Sequence, residues 1–264
     1  MTHTIKPIGR LWAVLLLLAV AFALPWQRAE AAHDIRGINS APAPGPSFSL
    51  YAYPHFISLP DGSSLYMWGF GDLNGGDTAT HAEGNGYSLP QYPAPTLIVT
   101  EGDLVSIELT NYGVPDPVSI VVAGHNVTAT GGSPGLVTNA ATVGGAQLTY
   151  TFTAGAPGTY LYHSLDGANP GLHQEMGLAG ALIVRPDPLT NSGRNAYGDG
   201  TGTDYDQEFL YLLTEADPLI HAEMERGHKA HFTYSDRYAT IWFVNGRVFP
   251  DLFGGDYNPL YPNQ

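Results

Sequence analysis

Three features of the sequence predict an all-β, Greek-key sandwich. Short alternating or β-branched runs recur at roughly ten-residue spacing. Glycine and proline, 32 and 21 of 264 residues, punctuate the intervals between them. Helical periodicity is absent from nearly the whole chain.

The elements follow in order. Lys6 and Arg10 precede an apolar run at 11–24, which Pro25 breaks. Ala29-Glu30-Ala31 then offers a small-x-small cleavage site, so residues 1–31 read as a secretory signal cut after Ala31. The run is short for a bilayer span, and no twin-arginine motif is present. Residues 32–46, rich in Ala, Pro and Gly, read as a flexible mature N-terminus. Strands are expected at 48–53, 64–68, 96–100, 104–109, 147–152, 159–163 and 178–184. Glu101-Gly102-Asp103 is a tight turn between two of them. Residues 118–122 form a continuous apolar run, expected as a strand buried on both faces. These runs together predict one antiparallel sandwich over 47–186, with His163 at a strand end and Leu161, Leu182 and Val184 facing the core.

Residues 71–86 are a glycine-rich insertion. It carries Asp72, Asp77, His81 and Glu83 without metal-ligand spacing, and reads as a surface loop. Residues 187–206 read as a linker, and 207–264 as the start of a second β domain without a closing strand. Within that part, strands are expected at 208–214 and 239–248, the latter with an Asn-Gly turn, and one short helix at 218–228.

A formal net charge of −14 argues against nucleic acid and anionic membrane surfaces as partners. Loss of the signal removes three cations and one carboxylate, leaving the mature chain more acidic. Such a charge attracts metal cations. The chain has no cysteine, so an exported protein of this sequence depends on its core and not on disulfides. No Ser/His/Asp order, carboxylate pair or phosphate loop stands out, and no catalytic residue is assigned.

The segment 158–186 (GTYLYHSLDGANPGLHQEMGLAGALIVRP) is the most informative. It reads as strand, turn-rich loop and strand, with His163, His173 and Met176 around the loop. Together with PAPTLIVTEGDLVSIELTN (93–111), PVSIVVAGH (117–125) and AQLTYTFTAGAPGTYLYHS (146–164), it resembles the N-terminal plastocyanin-like domain of the multicopper oxidase family. EFLYLLTEAD (208–217) and FVNGRVFPD (243–251) resemble the opening of that family's next domain. The resemblance implies a cupredoxin-like β-sandwich followed by an incomplete second β domain. It also implies copper as cofactor, oxidoreductase chemistry and an exported, periplasmic or extracellular location. A missing C-terminal domain or a homo-oligomer is the expected partner.

The copper motifs depart from the family's pattern. The first His-x-His-Gly falls on Val121-Val122-Ala123-Gly124, with His125 directly after it. The second His-x-His falls on His163-Ser164-Leu165. Against the nitrite-reductase form, Ser164 stands at the cysteine, His173 at the second type 1 histidine, and Leu178 at the axial methionine, with Met176 two residues early. A blue-copper centre needs a thiolate, which this chain lacks.

His125, His163 and His173 are the candidate metal residues, since three imidazoles suit Cu(II) or Zn(II). Each has a plain alternative: His163 and His173 as hydrogen-bonding strand-end residues, His125 as a strand cap. His221, His228 and His231 do not match a helical zinc motif and read as a solvated loop. Asn126-Val127-Thr128 is a glycosylation sequon given no weight, and Glu101, Asp103 and Asp116 read as turn residues. Two functions stay open: an exported multicopper-oxidase-like oxidoreductase not competent alone, and a non-catalytic cupredoxin-like binding, scaffold or storage module.

Overall fold

The computed structural model describes residue 35 and residues 37–39, 45–73, 89–165, 169, 171–229 and 237–251. Two five-stranded sheets face one another. The first orders β1 (Ile38–Asn39), β4 (Ala94–Thr100), β10 (Ala179–Arg185), β9 (Gly158–His163) and β6 (Val121–Val122). The second orders β3 (Ser64–Asp72), β2 (Ser47–Ser58), β5 (Leu104–Asn111), β8 (Leu148–Thr153) and β7 (Thr128–Thr130). A single helical turn, α1 (Leu172–Glu175), lies in the loop between β9 and β10.

Strand parity builds the core. Val105, Ile107 and Leu109 on β5 and Leu148, Tyr150 and Phe152 on β8 point inward, while Ser106, Glu108, Thr149 and Thr151 between them are only partly covered. Leu97, Val99, Tyr162, Leu182 and Val184 answer from the opposite sheet, with Phe48, Leu50, Trp68 and Phe70 completing the cluster. Each large apolar side chain buried here contributes about 1.5–3 kcal/mol. That is the stabilisation available to a chain with no disulfide.

Two expectations are corrected. Leu161 is an outward residue, 36% exposed, because Tyr162 takes the inward position and donates its hydroxyl to Pro95 O at 2.5 Å. The sheets are also mixed: β2 pairs β5 in parallel, as β4 pairs both β1 and β10. The chain crosses to the other sheet between β2–β3 and β5, and again between β4 and β9–β10. Such crossovers bring a strand back in its original direction. Of the run at 118–122, Val118, Ser119, Ile120 and Val122 are buried and Val121 is half-buried, and only Val121–Val122 is ladder-paired.

Residues 187–206 fold as hydrogen-bonded turns. Asp199 accepts from Ser192 N–H and hydroxyl at 2.9 and 2.8 Å, and Arg194 lies 5.1 Å from the Tyr205 ring centroid. Arg185 and Glu208 join the two ends of this stretch by a bidentate ion pair.

Beyond it, β11 (Leu213–Ala216) pairs antiparallel with β12 (Ile241–Val244), and α2 (Pro218–Glu225) lies between them in sequence. Asp217 caps α2 by accepting from Leu219 N–H at 2.9 Å, with proline in the first turn. After β12, Asn245 and Gly246 make the expected tight turn at φ 50° and 76°. A side chain at Gly246 would meet Tyr92 O at 2.0 Å, so this turn needs glycine for space as well as for φ. Ala216 and Phe243 form a second small core with Leu65 and Met67 on the outer face of β3. The strand β3 is therefore covered on both faces. Asp72, at its end, is 4% exposed, whereas Asp77, His81 and Glu83 of the glycine-rich insertion lie outside the described residues. No helix among the described residues is long and apolar enough to cross a membrane.

Candidate functional site

The end of β9 is where the polar side chains gather. Asn111, fully buried at the end of β5, first shapes the neighbouring loop. Its Nδ2 donates to Val114 O at 3.0 Å and Asp116 O at 2.8 Å, while its Oδ1 accepts from Val114 N–H at 2.9 Å. This hub aims the Asp116 carboxylate at His173 on α1. Ser164 Oγ accepts the Ser119 N–H at 2.9 Å and lies 2.7 Å from His173 Nδ1. His173 Nε2 lies 3.4 Å from Asp116 Oδ2, and Lys229 Nζ donates to the same oxygen at 2.5 Å. Trp68 closes the site, its ring centroid 5.7 Å from that of His173 at 75°.

The proton positions follow. The neutral tautomer with its N–H on Nε2, facing the Asp116 carboxylate, accepts the Ser164 hydroxyl proton at Nδ1 and so satisfies all three groups. The reverse tautomer would set a lone pair against Asp116. Burial pushes the Asp116 carboxyl upward, but hydrogen bonds from His173 and Lys229, and the Lys229 charge, outweigh it and hold the group below its ordinary value.

In composition this is a Ser–His–Asp chain, assembled from two loops: Ser164 and His173 from the β9–β10 connection and Asp116 from the β5–β6 connection. It does not act as a nucleophilic relay: Ser164 and His173 are 0% exposed, so no substrate reaches the hydroxyl.

The other candidates sit elsewhere. His163 is half-buried at the end of β9, its Nδ1 2.8 Å from Gln174 Nε2 and 3.3 Å from Ser164 O. Burial lowers its pKa, against the opposing bond to Ser164. His125 Nε2 accepts the Gly155 N–H at 3.0 Å, its Nδ1 lies 3.2 Å from Ala123 O, and its ring packs on Phe152 and Tyr160. Gly155 precedes β9 and His163 ends it, so the strand's five residue steps separate the two attachments by about 16 Å.

His125, His163 and His173 are thus not brought round one point. Among the described residues, no three His, Cys, Asp or Glu side chains are placed to hold a metal. The copper set implied by the resemblance does not fit here, because Ser164 stands in the thiolate position and both nitrogens of His125 and of His173 face other partners.

His221 corrects the expected solvated loop. It is fully buried on α2, Nδ1 2.6 Å from Tyr66 O, because Ile220, His221 and Met224 share the inward face of the helix. His228 is exposed beside Glu223, and His231 lies outside the described residues. Asp116, Ser119 and Lys229 were missed by the sequence reading. Asp116 and Ser119 share one loop without a recognisable motif, and 113 residues separate Asp116 from Lys229.

Residues 80–188 match the family model described as Multicopper oxidase. An L-ascorbate oxidase of Brassica rapa subsp. pekinensis is 32% identical over 47% of this chain and 20% of that protein. A copper-containing nitrite reductase of Alcaligenes xylosoxydans xylosoxydans is 27% identical over 64% of this chain and 48% of that protein. Against these relatives the chain spans between a fifth and about half of their length. Its fold is similar to the copper nitrite reductase from Nitrosomonas europaea, with a TM-score of 0.50 at 21% identity over 77% of this chain and 57% of that one. The sandwich and its strand order thus agree with the matched sequence: the chain has a cupredoxin-like fold, and its residues 80–188 are similar to the multicopper oxidase family.

Proposed function

We propose that this is an exported, multicopper-oxidase-like protein whose cupredoxin sandwich serves a copper-dependent oxidoreductase as a structural module, without turning over substrate alone. The kinship with copper enzymes supports the oxidoreductase setting. One observation carries the structural role. Ser164, in the thiolate position, is bound into a buried chain with Ser119, His173, Asp116 and Lys229. Such a chain consumes the donors a metal would need and stabilises the loop between β9 and β10 in their place. Export rests on the charged and apolar pattern of residues 1–31.

The test is Cu(II) titration of the purified chain. The expected result is no intense visible charge-transfer band, no oxidase turnover by the chain alone, and the same Cu(II) affinity in wild type and His163→Ala. An intense band, turnover, or an affinity loss of tenfold or more in His163→Ala would overturn the reading. The copper-poor binding module remains the second reading, favoured by the separate partners of the three imidazoles. Copper content of the chain isolated from copper-replete cells separates the two: absence of copper in both chain and associated proteins favours the module.

A further inference from the structure

A cleft of about 700 Å³ lies far in sequence from the β9–β10 loop, between the β2–β3 turn, α2 and β12. Its volume is that of a small-molecule site. Three aromatic side chains, Tyr66, Trp242 and Phe249, are among its lining. Trp242 and Phe249 are 67% and 69% exposed, so both rings of this lining are open to a bound group.

The charged lining is of one sign. Asp61 and Glu225 contribute carboxylates, and among the described residues neither lysine nor arginine lines the cleft. Asp61 Oδ1 accepts from Ser63 N–H at 2.9 Å and Ser63 Oγ at 2.6 Å, which fixes that carboxylate and holds its pKa below the ordinary value. No hydrogen bond or ion pair engages Glu225 among the described residues. The His221 ring, also in the lining, is fully buried and turns its Nε2 towards Glu175 Oε1 at 3.5 Å.

We infer that this cleft binds an organic ammonium ion, with an aromatic or branched apolar body against the rings and its cationic head between the carboxylates. Ring faces and carboxylates both favour a cation, and the apolar lining excludes a strongly hydrated inorganic one. An anion of the same shape meets carboxylates without a compensating charge, and a neutral body gains only the apolar contact. The inference stands apart from the copper reading, since it uses none of the residues round Ser164.

The test is calorimetric titration of the full chain with three probes of matched shape: 2-phenylethylammonium, 2-phenylethanol and 3-phenylpropanoate. The ammonium is expected to bind at least tenfold more tightly than the alcohol, and the carboxylate more weakly than both. Glu225→Gln is expected to weaken the ammonium at least threefold and leave the alcohol unchanged. Trp242→Leu, at an exposed position, is expected to weaken both with an unchanged circular dichroism spectrum. Added salt is expected to lower only the ammonium affinity. Equal affinity for ammonium and alcohol, no heat with any probe, or an ammonium affinity insensitive to Glu225→Gln would overturn the proposal. So would a dimer in sedimentation velocity that binds none of them, because the cleft would then be closed by a second copy.

Discussion

Ser164 shows how much one buried hydroxyl decides. It satisfies a buried backbone N–H and a buried imidazole at once. Ser164→Ala removes both partners and is expected to cost about 1–3 kcal/mol, the usual penalty for stranding buried polar groups. Urea unfolding at pH 7 measures it, and an unchanged midpoint would show that water replaces the hydroxyl. His55 is a second residue-scale case. Burial lowers its pKa from 6.5 to about 4, its Nε2 has no hydrogen-bond partner among the described residues, and Gly69 on β3 leaves room for the ring. The unfolded chain takes up a proton below pH 6.5 that the folded one refuses until about pH 4. Its contribution to stability is therefore full above pH 6.5 and is lost as pH falls towards 4. His55→Gln is expected to flatten the melting temperature across that window; an unaltered slope would remove His55 as the cause. The carboxylates of Asp116 and Glu175, held below their ordinary 3.8 and 4.5, add a separate loss at lower pH.

At the scale of elements, Glu175 couples α1 to the β11–α2–β12 segment. Its Oε1 accepts the Asp217 N–H at 2.7 Å, at the cap of α2, and its Oε2 accepts from Arg237 Nε at 2.6 Å. Arg237 reaches Glu215 Oε1 at 2.6 Å with its other arm; burial lowers its pKa, but the hydrogen bonds and charges of Glu215 and Glu175 together outweigh it and raise the pKa. Arg237→Ala leaves a carboxylate whose side chain is 2% exposed without its charge partner, and a cost of about 3–5 kcal/mol is expected. Arg237→Lys is expected to recover only part of this, because one ammonium does not span both acids. Thermal denaturation of the three proteins is the measurement, and equal stability of all three would mean that Glu175 takes up a proton instead.

For the whole molecule, the second core is the deciding feature. Leu65 and Met67 belong to the sandwich, while Ala216 and Phe243 belong to the later strands. Removing either part exposes the other's apolar surface. One cooperative unfolding transition is therefore expected by calorimetry, with equal calorimetric and van't Hoff enthalpies. Two separable transitions would show that residues 207–251 fold as an independent unit. The turns at 187–206 are exposed at many positions and remain the expected first cleavage site under limited proteolysis.

The strands were legible in the sequence because parity is local: the alternation of Val105, Ile107 and Leu109 needs no knowledge of the opposite sheet. The Asn245-Gly246 turn and the Pro218 helix start were legible for the same reason, since φ and capping act over a few residues. The position of Leu161 was not, because apolar residues stand on both sides of that strand and only packing against Pro95 selects Tyr162 for the interior. The parallel pairings of β2 with β5 and β4 with β10 were hidden likewise, as they arise from crossings between sheets. Asp116 and Lys229 look unrelated along the chain to Ser164 and His173, and folding alone joins them into one network. By itself the sequence determined an acidic, cysteine-free β-sandwich of recognisable family, because those properties are composition and short-range pattern. Tertiary structure alone decided that His125, His163 and His173 sit among separate hydrogen-bond partners, because ligation depends on the convergence of distant side chains, which spacing does not encode.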